Sequence, residues 1–331
     1  MKKLFIVILL SFSVFGGTTY YLLPLQDHSP YIRIQDDKPE ITVAIIGDFG
    51  TGNFRQRRVA AILEQACRTY DLDFVQTVGD NFYPSGVNTP HDSKWSTHFE
   101  NKYNTPCLKE VRFFAALGNH DHELSAKAQI DYTDMGSKRW FLPNHYYAHE
   151  HKVNSGSEEI LLKAVVVDTN LWGNEQANFI RNELQNTNSI WKIVVGHANI
   201  RTFGEKYNKD DRFQKSLLPI LKANMTDFYV SGHTHSLQLI KVDNEPLYLI
   251  SGGGGKTPRA LIKEPDNSLV MGQESLGVIL VTFRKTEAII RFISTSGQFF
   301  SIYETSISAF RLDHTCWKQS VIASCLRPIK E

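Results

Sequence analysis

The chain has 331 residues, of which 42% are hydrophobic and 21% charged, enough to bury one large core or two modest ones and incompatible with a disordered chain. Lys and Arg number 36 against 35 Asp and Glu, a formal charge of +1. With no global field of either sign, nucleic acid is excluded as a bulk electrostatic partner, and recognition has to be local.

Residues 1–25 open with Met1-Lys2-Lys3 and continue as an apolar run from Leu4 to Gly17, the pattern of an export signal. Gly16-Gly17-Thr18 offers small residues for cleavage, whereas Tyr20, Tyr21, Leu22 and Leu23 extend the run toward the length of an uncleaved membrane anchor. Both readings imply export, and the anchor is the only membrane contact expected. Residues 26–40 are polar and read as a linker to a domain over residues 41–310, followed by a tail over residues 311–331. The four cysteines are Cys67, Cys107, Cys316 and Cys325, an even number that an oxidising compartment would pair. Pairing of Cys67 with Cys107 and of Cys316 with Cys325 is expected, with buried free thiols as the alternative.

Within the domain, Ile41 to Ile46 is a β-branched run, and Asn53 to Leu72 places Val59, Ile62, Leu63, Ala66 and Tyr70 on one helical face. Strands are then expected at Phe74 to Val78, Val111 to Leu117, Ile160 to Val167, Trp191 to Val195, Phe228 to Val230 and Leu247 to Ile250. Helical stretches fall at Ser93 to Tyr103, Leu124 to Thr133, Glu175 to Leu184 and Phe213 to Leu221. This alternation predicts an α/β sheet. Lys256 to Gln273 reads as a surface excursion, and beyond Gly277 three strands without helices predict an antiparallel meander.

The informative residues follow the strands. Gly47-Asp48-Phe49-Gly50, Gly79-Asp80-Asn81-Phe82-Tyr83, Gly118-Asn119-His120-Asp121-His122, Gly196-His197 and Gly232-His233-Thr234-His235 each place metal-capable side chains just past a glycine. Sites in open α/β sheets form at the carboxyl ends of strands, so the five turns can converge. Oxygen and imidazole donors of this kind suit iron, manganese or zinc. One Gly-Asp turn alone is ordinary turn chemistry; five in succession are not.

In that order these motifs resemble the calcineurin-like metallophosphoesterases, and the tyrosine of GDNFY narrows the resemblance to purple acid phosphatases of the small tartrate-resistant type. Tyr83 to Val87, the run from Ala128-Gln129-Ile130 through Lys138-Arg139-Trp140, and Ser236-Leu237-Gln238 extend it over residues 41 to 305. The resemblance implies a four-layer α/β/β/α sandwich of two mixed sheets flanked by helices. It implies an Fe(III) ion held by Asp48, Tyr83 and His235, a divalent Fe, Zn or Mn held by Asn119, His197 and His233, and Asp80 bridging the two. A pair of metals lowers the pKa of bound water and delivers hydroxide to phosphorus without a protein nucleophile.

By the same resemblance Asn119 and His120 contact phosphate, His120 also serving as proton donor, with His122 a weaker candidate. Asp121 is either the hydrogen-bonded orienter of a histidine or a local turn acceptor. Two departures stand out: Ala198-Asn199 follows His197, and the place of a further family histidine falls on or near Lys206, a point charge for phosphate or an exposed lysine. The stretch Thr169 to Asn174 is shorter than the protease-sensitive loop of mammalian relatives, which implies activity without clipping. The expected partners are small phosphorylated substrates, among them nucleotides and phosphoproteins, for a protein that is a monomer by default. The rivals are a phosphodiesterase or nucleotidase on the same fold, a surface binding protein that has lost turnover, and redox chemistry at an exposed iron.

Overall fold

The computed structural model describes residues 10–14, 17–21, 39–153, 157–207, 211–296 and 299–308. In chain order, strands β1 (Leu10–Val14) and β2 (Gly17–Tyr21) form an antiparallel hairpin. The first half of the domain then supplies β3 (Glu40–Ile46), α1 (Phe54–Tyr70), β4 (Phe74–Thr77), β5 (Arg112–Phe114), α2 (Ala126–Met135) and β6 (Trp140–Phe141). The second half supplies β7 (Tyr147–Lys152), β8 (Ile160–Val166), α3 (Asn174–Gln185), β9 (Trp191–Val195), α4 (Arg212–Ser216), α5 (Leu218–Ala223), β10 (Phe228–Ser231), β11 (Leu237–Ile240), β12 (Leu247–Ser251) and β13 (Leu269–Gln273). The meander β14 (Gly277–Arg284), β15 (Glu287–Ser296) and β16 (Phe299–Ser308) returns to the first half.

Two seven-stranded mixed sheets result, with orders β16-β15-β14-β3-β4-β5-β6 and β13-β11-β12-β10-β9-β8-β7. The strands β3 to β6 run parallel, as do β8, β9, β10 and β12, while the meander and β7, β11 and β13 pair antiparallel. Period-two alternation explains the layering. In the second sheet Ala164, Val166, Ile193, Val195, Phe228 and Val230 belong to the core shared with the first sheet. Their neighbours Val165, Val167, Val194 and Tyr229 pack instead on Ile180, Leu184, Phe213 and Leu221 of the helices. Strands buried on both faces read as continuous apolar runs, as these do. The four-layer arrangement is as expected.

Helix α1 is set by its ends and its stripe. The Asn53 side chain accepts from Arg55 N at 2.9 Å and Gln56 N at 3.3 Å, and left-handed Asp71 (φ 50°) stops the helix. Val59, Ile62, Leu63 and Ala66 are buried as the spacing requires. The expected Cys67–Cys107 disulfide is present and closes a loop with a sequence separation of 40. Loop closure of that length stabilises by about 4 kcal/mol in the chain-entropy account. Cys316 and Cys325 lie outside the described residues, as do residues 22–38 and most of the export segment. No helix among the described residues is long and apolar enough to cross a membrane.

Three expectations need correction. The excursion from Lys256 ends in strand β13, where Leu269, Met271, Gly272 and Gln273 pair with β11, a short signal hidden by the polar and proline-rich residues before it. The stretch from Ser93 holds a single π turn, Trp95–Glu100, anchored by buried Trp95 and Phe99. Strand β5 is three residues long, and past Phe114 the Ala116 N–H goes to Thr77 Oγ1 at 3.1 Å instead of to a backbone carbonyl of a neighbouring strand.

Strand β7 carries a pair of half-buried histidines. His151 Nε2 lies 2.8 Å from His149 Nδ1, His149 Nε2 lies 3.1 Å from Gln76 Oε1, and the rings stack on Phe74 and Phe114. With both rings neutral, each contact has one donor and one acceptor; protons on both rings would set two N–H groups against each other. Burial pushes His151 down to about 4 and His149 well below its ordinary value. A base whose folded pKa is depressed contributes stability above its unfolded pKa, about 6.5, and loses it as pH falls toward the folded value. The melting temperature is therefore expected to drop between about pH 6.5 and pH 4. His151→Gln, which keeps a donor for His149, should flatten that drop in a calorimetric pH series; an unchanged slope would show that the pair does not set it.

Candidate metal centre

The five turns converge where the carboxyl ends of the two sheets meet. Asp48 follows β3, Asp80 and Tyr83 follow β4, and Asn119 and His120 follow β5; His197 follows β9, and His233 and His235 follow β10. One sheet contributes the oxygen donors and the other the imidazoles. Asp48, Asp80 and His233 have positive φ values of 56°, 54° and 66°, a region most side chains avoid. Gly79 also turns left-handed (φ 88°), and a Cβ there would sit 2.7 Å from both His197 Nδ1 and Gly118 N. Only glycine lets the loops after β4 and β5 close on the histidine.

Tyr83 Oη donates to Asp80 Oδ2 at 2.6 Å and lies 3.1 Å from Asp48 Oδ1. His235 Nε2 lies 3.4 Å from Asp48 Oδ1, and His197 Nε2 lies 3.5 Å from Asp80 Oδ1 and 3.2 Å from Asn119 Oδ1. His233 Nδ1 is 3.1 Å from His197 Nε2. Val78 O at 2.8 Å and Thr257 O at 3.0 Å take the Nδ1 protons of His197 and His235, which leaves each Nε2 lone pair facing the site. All seven expected ligands are thus brought together.

The donor set fits two cations. Asp48 and Asp80 are buried, at 0% and 2% exposure, and among the described residues their ion-pair partners are the histidines alone. Buried charges of one sign need a counter-charge. Burial, reinforced by Asp48 and Asp80, pushes the Tyr83 phenol far above its ordinary pKa, so a cation is what would make it a phenolate. Burial and the neighbouring His197 push His233 down to about 3, which keeps it a neutral ligand.

Supporting groups surround the donors. His120 N donates to Asp80 Oδ1 at 2.9 Å; its ring, at the mouth of the site, lies 4.7 Å from that of Tyr83 and 2.7 Å from Glu123 Oε1. Asp121 orients no histidine. Buried, it accepts from Asn81 N, Phe82 N, Gly118 N, Asn81 Nδ2 and Gln129 Nε2 at 2.8–3.2 Å, joining the loops after β4 and β5. His122 places its Nε2 2.8 Å from Asp168 Oδ2.

Lys206 stands with its Nζ 5.0 Å above the Tyr207 ring. Tyr207 is the residue that enters, its ring 3.9 Å from that of His233 and its hydroxyl accepting from Arg259 Nη1 at 3.1 Å. Asn119, Thr169, His197, Tyr207, Arg212 and His233 line a recess of about 130 Å³ beside the donors. Lys256 Nζ stands 4.1 Å over the Tyr83 ring. Sequence reasoning missed Tyr207, Arg259 and Lys256; the only signal was that the last two lie on the stretch after Gly252-Gly253-Gly254-Gly255.

Residues 41–237 match the calcineurin-like phosphoesterase family. Purple acid phosphatase 7 of Arabidopsis thaliana is 30% identical over 68% of this chain and 74% of its own length. The chain belongs to the purple acid phosphatases, within the calcineurin-like phosphoesterases. This purple acid phosphatase homologue is also 28% identical to tartrate-resistant acid phosphatase type 5 of Rattus norvegicus, over 88% of this chain and 96% of that one. In fold it is like the solved structure of GAP50, the anchor in the inner membrane complex of Plasmodium, with TM-score 0.72 and 20% identity over 81% of this chain and 89% of that one.

Proposed function

We propose that this purple acid phosphatase is an exported acid phosphatase that hydrolyses phosphate monoesters at a dinuclear centre. The observation that carries the reading is the convergence of seven donor side chains from five loops, with two buried carboxylates whose only ion-pair partners among the described residues are the histidines. Asp48, Tyr83 and His235 would hold Fe(III), Asn119, His197 and His233 a divalent Fe, Zn or Mn, and Asp80 would bridge them. When bound, such a pair supplies the charge that activates water and neutralises the phosphoryl oxygens. The protein's own residues do the rest. The backbone-anchored His197 and His235 hold their lone pairs in place, His120 stands at the mouth where a leaving-group oxygen needs a proton, and Lys256 and Arg259 add positive charge beside the donors.

The test is a visible absorption spectrum of the purified protein together with elemental analysis. A broad band in the green to yellow, lost in Tyr83→Phe while the metals remain, is the expected result. A colourless metalloprotein that cleaves bis-para-nitrophenyl phosphate in preference to the mono-ester would replace this reading with the phosphodiesterase one. Metal without hydrolysis of either ester would favour a binding protein.

A further inference from the structure

Outside the seven donors lies a second cluster of metal-capable side chains. His122 comes from the 3₁₀ turn His120–His122, His145 from the loop between β6 and β7, and Asp168 from the end of β8. His122 Nε2 and His145 Nδ1 approach the same oxygen, Asp168 Oδ2, at 2.8 and 2.9 Å, and the two rings stack at 5.8 Å. One donor atom from each residue lies within 4.8 Å of the others. Asp168 is fully buried, its Oδ1 accepts from Asn170 N at 3.0 Å, and the imidazoles beside it hold its carboxyl down at about 2.

We propose that His122, His145 and Asp168 form a third cation site, separate from the dinuclear centre, for a divalent first-row metal such as zinc. Two imidazoles and one carboxylate are the ligand set of an open three-ligand zinc site, with a fourth position left for water or an anionic oxygen. Metal–ligand bonds of about 2.1 Å in a tetrahedron put donor atoms roughly 3.4 Å apart, so each imidazole nitrogen needs to withdraw from Asp168 Oδ2 by only about half an ångström. The principal centre shows the same pattern, its donors drawn to 2.6–3.5 Å from one another around the place a cation would take. Both imidazoles are partly open to solvent, at 21% and 31% side-chain exposure, which gives an ion a way in.

The site has a route to the dinuclear centre. Thr169, next to Asp168, accepts from Ala198 N through Oγ1 at 3.1 Å, and Ala198 follows the ligand His197. A cation on Asp168 therefore steadies the wall of the recess that Thr169 and Asn170 share with Asn119. The site stands whether or not the principal centre hydrolyses esters.

Total metal stoichiometry of the full chain, iron and zinc together, measured by elemental analysis after zinc saturation and gel filtration at neutral pH, where imidazoles are free to ligate, decides the matter. Wild type is expected to hold three ions and His145→Ala two. Asp80→Ala, which empties the principal centre, should keep one ion, and the double variant none. Equal total metal in wild type and His145→Ala, or none in an Asp80→Ala protein of unchanged circular dichroism, would overturn the proposal. Should Asp80→Ala fail to fold, wild type against His145→Ala decides alone.

Discussion

Asp80→Ala is expected to lower kcat/KM for a phosphate monoester on the order of 10³-fold and to empty the dinuclear centre, because the metals' contribution of several kcal/mol to transition-state charge goes with it. Asp80 Oδ2 accepts from Tyr83 Oη at 2.6 Å, Oδ1 accepts from His120 N at 2.9 Å, and His197 Nε2 stands 3.5 Å away. It therefore links the phenol of one proposed metal, an imidazole of the other and the backbone of the proposed proton donor. Asp80→Asn separates charge from shape, since its amide oxygen can still accept a hydrogen bond while the negative charge is gone. Both variants should fall together in activity and in metal content, measured on the same samples. Activity within tenfold of wild type in Asp80→Ala would remove the site from consideration.

Asp121→Asn is expected to be the most damaging substitution for the fold near the site, at about 3–5 kcal/mol, the cost of breaking a buried charged network. Every neighbour of this carboxylate is a donor: three backbone N–H groups and the amides of Asn81 and Gln129. An asparagine offers one oxygen and brings an N–H₂ into a shell with nothing to receive it. The loops after β4 and β5 would lose their common anchor. Metal affinity should weaken by about 10–100-fold, as for groups that orient ligands. Urea titration with an unchanged slope and a lower midpoint is the signature sought. A loss of less than about 1 kcal/mol would mean that other contacts hold the two loops.

Strands β3, β4, β5, β9 and β10 and the seven donors were legible because each of these strands is an apolar run that stops at a glycine followed by a polar residue of unmistakable chemistry. What could not be read was contributed across distance. Strand β7 hides because His149 and His151 turn inward against Phe74 and Phe114, inverting the polar-out pattern that a reader expects of histidines. Strand β6 is two residues long, too short for any period. His145 follows Pro143 and Asn144 in an ordinary-looking loop, and only the pairing of β7 with β8 brings it to Asp168. Tyr207 could not be read because the resemblance pointed to the place of a family histidine, on or near Lys206, and only packing in the fold brings the next residue against His233.

The left-handed backbone at Asp48, Asp80 and His233 carries a consequence for how such chains diverge. Each of these residues holds a conformation that glycine adopts without penalty and that costs other side chains on the order of 1 kcal/mol or more. While the side chain is in use, selection keeps it against that gradient. In a descendant freed from catalysis, glycine at any of the three would relieve that backbone cost while giving up the side chain's contacts, and selection for the donors would no longer oppose the exchange. Retention of all three bulky residues at once is thus a trace of present use written in the main chain, one that can be looked for in any relative before an assay is run.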